Sequence, residues 1–318
     1  MSLIFFGCMG SLFFGFGKLL LKKPFHYKGF SALSNCFNLI LAQSFQHPYK
    51  ETLENDIVVQ GVPFDLNSSF RHGPALAPDR IRNALLSSSA NMWTENGIDL
   101  GNNSRWHLLP DLALSVPGEE FADILHQTAV HLDNGLRVIS LGGDHSITYP
   151  LIQAYARKYG KLNIFHMDAH PDLYDELDGN RHSHACPFAR IMEEYQGIRL
   201  IQVGIRTANG HQREQASRFG VEMIEMGKLA RIQQLVFNGP VYLSLDLDCL
   251  DPAFAPGVSH YEPGGMTTRE VLNSIQKLTG QLVGADIVEY NPMHDPQGIT
   301  GMVAAKLLKE ILGKMLQV

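Results

Sequence analysis

With 318 residues, 45% of them hydrophobic, and no long run of like charge, the chain can bury a large core and reads as one big domain rather than two small ones. Its formal net charge of -6, with Lys and Arg scattered rather than clustered, argues against a nucleic-acid surface and suits a small cationic partner. The four cysteines show no CxxC spacing, which points to free thiols in a reducing compartment.

Residues 1–50 differ in kind from the rest. They contain no Asp or Glu, open with a largely apolar run over 4–16 and continue through Lys18, Lys22 and Lys23. A secretory signal would place its positive charge before the apolar run, so secretion is disfavoured and the segment is read as an N-terminal extension. The default expectation is a cytoplasmic protein with no stable membrane partner; organelle targeting or anchoring by residues 1–50 stays open.

From residue 51 to 318, short apolar runs alternate with segments of helical periodicity, the pattern of a three-layer α/β/α fold with a central parallel sheet. Strands are predicted at 56–60, 137–141, 162–167, 200–203, 241–247 and 282–288, and helices at 149–159, 187–195, 268–278 and 300–316. Most of these strands end in Gly, Asp or another polar residue, and in such sheets ligands bind beyond the carboxyl ends of the strands.

The polar residues at those ends fall into three groups. The strand at 137–141 runs into Gly-Gly-Asp-His-Ser, which supplies His145, with Asp144 read as holding the loop. The strand at 162–167 is followed by Asp168, His170 and Asp172 at alternate positions, which an extended backbone would turn to one face. By the same period Asp246 and Asp248 share a face at the end of 241–247; Cys249 faces away, and Asp251 before Pro252 reads as a turn former. Taken singly, each residue is explained as well by a cap or a turn. Burying Asp168, Asp172, Asp246 and Asp248 together, however, would be very costly without cations, and two divalent ions would neutralise them. Oxygen-rich ligation with two imidazoles and no thiolate favours Mn, although Fe, Co, Ni or Zn could occupy the same donors.

These three motifs, in this order, resemble the metal signatures of the ureohydrolases, the family of arginases and agmatinases, and the likeness runs over residues 57–312. It is nearest to the plant-type arginase/agmatinase branch through Asn67-Ser68-Ser69-Phe70, Ser183-His184-Ala185 and the stretch 257–265. The resemblance implies an arginase-like fold and two Mn2+ per subunit. His145 and Asp172 would complete one ion, His170 and Asp248 the other, and Asp168 and Asp246 would bridge both. It also implies attack of hydroxide on a guanidinium carbon, with Glu289 binding the guanidinium and His184 returning a proton to the departing amine. His182 is the rival for that proton. A homo-oligomer, trimer or hexamer, is the assembly implied.

Agmatine, cleaved to putrescine and urea, is the expected substrate, because Tyr174 stands where animal-type arginases carry an Asn that reads the α-carboxylate of arginine. Arginine is the alternative, since plant-type relatives carry Tyr here too, and guanidinobutyrate is a further candidate. The stretch 259–263 replaces the family's usual Thr-Gly-Thr-Pro; His260 and Glu262 there could contact a substrate or simply hold the loop. The complete ligand set disfavours both a deacetylase-like amidohydrolase and a non-catalytic scaffold.

Overall fold

The computed structural model describes residues 53–114 and 116–317. The extension read at 1–50, with Cys8 and Cys36, lies outside them. Eight strands build one sheet among the described residues: β1 (Ile57–Val62), β2 (Trp106–Asp111), β3 (Arg137–Gly142), β4 (Leu162–Met167), β5 (Ile198–Ile205), β6 (Glu222–Glu225), β7 (Pro240–Asp246) and β8 (Gln281–Val288). They run in the order β2-β1-β3-β8-β7-β4-β5-β6, and every pairing is parallel. The inner strands are buried along nearly their whole length, which is why they read as continuous apolar runs.

Seven α-helices cover the sheet: α1 (Ala77–Leu85), α2 (Glu120–Asp133), α3 (Thr148–Tyr159), α4 (Pro187–Glu194), α5 (Gly210–Phe219), α6 (Thr268–Lys277) and α7 (Ile299–Leu316). One face of the sheet joins α1, α6 and α7 in a single apolar cluster that includes Ile81, Ile139, Phe165, Leu243, Ile275 and Leu308. The opposite face, under α2, α3 and α4, carries more polar groups. Thr128 of α2 and Tyr155 of α3 reach it with hydrogen bonds to Gln60 and Val138, and Phe188 of α4 lies against His166 at 4.0 Å between ring centres. No helix among the described residues is long and apolar enough to cross a membrane.

All six predicted strands and all four predicted helices are present. The edge strands β2 and β6 escaped prediction because they are only half buried, so apolar periodicity is weak there. The strand order has one consequence for chemistry. After β3 the chain crosses to β4, and β8 and β7 later fill the gap between them. The carboxyl ends of β3, β8, β7 and β4 therefore lie side by side where the order reverses, the usual place for a ligand site in an open α/β sheet.

Candidate active site

His145 follows β3, Asp168, His170 and Asp172 follow β4, Asp246 and Asp248 close β7, and Glu289 follows β8. The structure brings all six candidate ligands together. Nδ1 of His145 lies 2.9 Å from Asp172 and 3.2 Å from both Asp168 and Asp246. Nδ1 of His170 lies 3.0 Å from Asp248 and 3.4 Å from Asp168. Asp168 is thus the carboxylate common to both imidazoles.

The route differs from simple strand alternation. Asp172 has a positive φ of 49°, so the segment after β4 turns back instead of running extended. Asp248 sits in a single 3-10 turn, Leu247–Cys249, that Asp246 caps by accepting its N–H at 2.7 Å. Cys249 does face away, into the apolar cluster. Asp144 and Asp251 hold loops: Asp144 accepts from Asn67 and Ser146 backbone N–H groups, and Asp251 from Ala253, Gly264 and Gly265. Glu289 also has positive φ, 62°, and such backbone costs about 1–3 kcal/mol per residue, held here beside the chemistry.

The donor set can be tested against a cation. His145 is fully buried, and its Nδ1 has no hydrogen-bond partner although three carboxylate oxygens crowd it. Burial raises the Asp246 pKa well above its usual value, and the neighbouring Asp248 and Asp168 raise it further. For Asp168, burial pushes upward too, but His145 and His166 overcome it and hold the carboxyl well below its usual range. Such a cluster of oxygens around an unsatisfied imidazole nitrogen fits a divalent cation with oxygen and nitrogen ligands. Among the described residues, candidate ligand atoms gather within 4.8 Å in two groups, His145 with His166 and Asp168, and Asp168 with His170 and Asp248. His166 was not singled out from the sequence.

A cavity of about 240 Å3 opens over these groups, with Tyr174, His184, His260 and Glu289 in its wall. Glu289 Oε1 accepts from the His145 N–H at 2.9 Å and meets His184 Nδ1 at 2.8 Å, whereas Oε2 is buried without a partner. His184 also meets Ser69 through Nε2 at 2.8 Å. Burial opposes charge on His184, yet Glu289 outweighs it and pushes the pKa up to about 9. His182 is exposed and packs on Phe121 and Tyr149 outside the cavity lining, so the structure separates the two rival histidines. His260 packs near the His184 and His170 rings, and Glu262 stands 3.9 Å from His170. Ser259 is occupied: it donates to the Arg71 carbonyl and accepts from Asn291.

A parallel α/β sheet whose carboxyl edge gathers four aspartates and two histidines below a cavity with an unsatisfied carboxylate fits the class of α/β proteins that hold divalent cations for hydrolysis. Comparison with known proteins narrows the class. The chain belongs to the arginase family, whose match spans residues 55–313, and is a ureohydrolase acting on C–N bonds of linear amidines. It is 46% identical to arginase 1, mitochondrial, of Arabidopsis thaliana, covering 80% of each chain. It is 34% identical to an agmatinase of Neisseria meningitidis, covering 89% of this chain and 94% of that one. The arginase structure from Medicago truncatula superimposes with a TM-score of 0.78 at 41% identity, covering 88% of this chain and 92% of that one.

Proposed function

We infer that the chain is a binuclear manganese enzyme that hydrolyses arginine to ornithine and urea. The observation that carries this choice is its greater identity to plant arginases, 46% against 34% for agmatinase. This replaces agmatine, the reading favoured by Tyr174. Tyr174 does line the cavity, but its hydroxyl accepts from Asn209 at 2.8 Å and its ring stacks on His211. Its own proton is therefore free to meet a carboxylate, and a Tyr here does not argue against arginine.

His145 and Asp172 would hold one Mn2+, His170 and Asp248 the other, with Asp168 and Asp246 shared; the approaches of Asp172 to His145, of Asp248 to His170 and of Asp168 to both imidazoles support this division. When bound, the cations supply Lewis acidity, which lets water lose a proton near neutral pH. Oε2 of Glu289, the partnerless oxygen, receives N–H groups of the guanidinium in a charge-assisted hydrogen bond. As the C–N bond to the departing nitrogen breaks, His184 gives that nitrogen a proton and the hydroxyl left on the carbon gives one up, so the products are urea and ornithine; Glu289, which raises the His184 pKa, supports this role.

Family membership also supports a homo-oligomer, trimer or hexamer, which light scattering would read directly. Two Arabidopsis relatives are named mitochondrial and chloroplastic/mitochondrial, which supports reading residues 1–50 as an organelle-targeting segment instead of leaving the protein cytoplasmic. Sequencing the N-terminus of the protein from isolated organelles tests that. The deciding assay for function is urea release by Mn2+-loaded protein from arginine, agmatine and guanidinobutyrate, each with a chelated control. Arginine preference supports the proposal, agmatine preference restores the alternative, and no urea from any of them removes the substrate class.

A further inference from the structure

One row of polar side chains crosses the sheet in register immediately behind the candidate ligands. Gln60, Ser140, Asp286, Ser244, His166 and Gln202 are successive pairing partners on β1, β3, β8, β7, β4 and β5. Each is no more than 1% exposed. Burying polar groups this deeply is costly unless they are hydrogen-bonded; the Oε1 atoms of Gln60 and Gln202 lack a partner, and the bonds that the row does make fix which atoms carry protons.

The last four bond toward the site. Asp286 accepts from the Ser244 hydroxyl at 2.8 Å on one oxygen, and from Tyr242 and Thr148 at 2.8 and 2.9 Å on the other. With its proton committed to that carboxylate, Ser244 Oγ must accept from His145 Nε2, 3.0 Å away. When Nδ1 offers its lone pair to a cation among Asp168, Asp172 and Asp246, the ring proton of His145 is then on Nε2, held by Ser244. On the other side, the amide nitrogen of Gln202 faces the carbonyl oxygen of Pro171. A carbonyl only accepts, so this amide cannot be turned over, and the second hydrogen of the same nitrogen goes to His166 Nδ1 at 3.1 Å. Nδ1 of His166 therefore accepts, its proton sits on Nε2, and Nε2 donates to Asp168 at 2.8 Å. Though His166 stands among candidate ligand atoms, it is a donor. At the far end of the row, Ser140 and Gln60 bond to each other and to Thr128 and touch none of the ligands.

We propose that Asp286, Ser244, His166 and Gln202 form a positioning layer that sets the proton of His145 and anchors Asp168, so that the cation site is arranged before a cation arrives. The proposal rests on the two-cation reading above. Its test is the Mn2+ affinity of the full-length protein, measured by equilibrium dialysis for the wild type, Ser244→Ala, Asp286→Asn and Gln202→Glu, with Ser140→Ala as a control from the same row. Groups that orient metal ligands are typically worth about 10- to 100-fold in affinity, so the first three variants are expected to raise the Kd by that factor. Gln202→Glu belongs with them because it puts a carboxylate oxygen where the amide nitrogen bridges the Pro171 carbonyl and His166 Nδ1, which releases the ring that anchors Asp168. Ser140→Ala is expected to lower the Tm and leave the Kd within about twofold, since buried polar deletions cost stability wherever they fall. A wild type that binds no Mn2+ sinks the cation reading itself. A wild type that binds, with all three variants binding as tightly, overturns only the positioning layer. For any variant that fails to fold, histidine-selective nitrogen NMR of the metal-free wild type decides: a proton on Nε2 of His166 supports the layer, and a proton on Nδ1 overturns it.

Discussion

Glu289 has two unequal oxygens, one held by His145 and His184 and the other buried without a partner, and this inequality makes a sharp prediction. Glu289→Gln keeps the shape but brings an amide donor against existing donors and removes the charge that meets a guanidinium. Losing one charged hydrogen bond is worth about 1.5–3 kcal/mol, so kcat/KM for arginine is expected to fall about 10- to 150-fold. An unchanged kcat/KM would remove Glu289 from substrate binding. His184 gives a second test. Its folded pKa of about 9 lies above the usual 6.5, because Glu289 outweighs the burial that opposes its charge. The protonated pair thus contributes stability fully below about 6.5, and that contribution is lost as pH rises through about 9. A step that uses this proton should likewise fade on the alkaline side. His184→Asn is expected to lower kcat by about 100-fold or more and to erase the alkaline fall that His184 imposes; the kcat–pH profile of both proteins is the measurement. At this scale the sequence was informative: the residues of the ligand motifs converge, although through turns and not through the extended alternation that their spacing suggested. What it hid were partners such as His166 and Asp286, whose only signal was a polar residue within a largely apolar strand.

At the level of elements, strands survived prediction better than the turns that aim the ligands. Alternation placed Asp246 and Asp248 on one face, but a capped 3-10 turn delivers them, and the left-handed backbone at Asp172 has no periodic signature at all. The Asp246 cap is local but leaves no mark in apolar periodicity, which carries no record of a single turn. Helices α1, α2 and α5 went unpredicted; α5 has just three buried residues, Gln212, Gln215 and Ala216, and so little apolar periodicity to read. The packing of β8 shows how distant fit constrains one residue. Tyr155 of α3 lies directly over Gly284, with its hydroxyl donating to the Val138 carbonyl at 2.9 Å in the neighbouring strand β3. A methyl at 284 would collide with that ring. Gly284→Ala is therefore expected to destabilise the protein by roughly 1–3 kcal/mol through overpacking, read as a lower Tm or denaturation midpoint. A midpoint equal to wild type would mean that the ring moves aside freely.

For the whole molecule, strand order matters more than any element. The ligands come from β3, β4 and β7, with Glu289 from β8, and these strands are contiguous in space but not in sequence. Apolar runs gave the α/β class and could not give this order, since many orders bury the same strands. Assembling the carboxylates is consequently a global event: they meet only when the sheet is complete, and without a cation their mutual repulsion opposes completion. Cations that bind the folded chain alone shift folding by mass action, by about 2.7 kcal/mol per site at a hundredfold excess over Kd. For a chain of this size, one to two such sites raise the Tm by roughly 4–8 °C. Chelation is expected to abolish urea release and lower the Tm by that amount, and added Mn2+ to restore both. If Mn2+ restored urea release while the Tm never moved, the acidic cluster would be held together by the protein alone, and the cations would serve the chemistry without serving the fold.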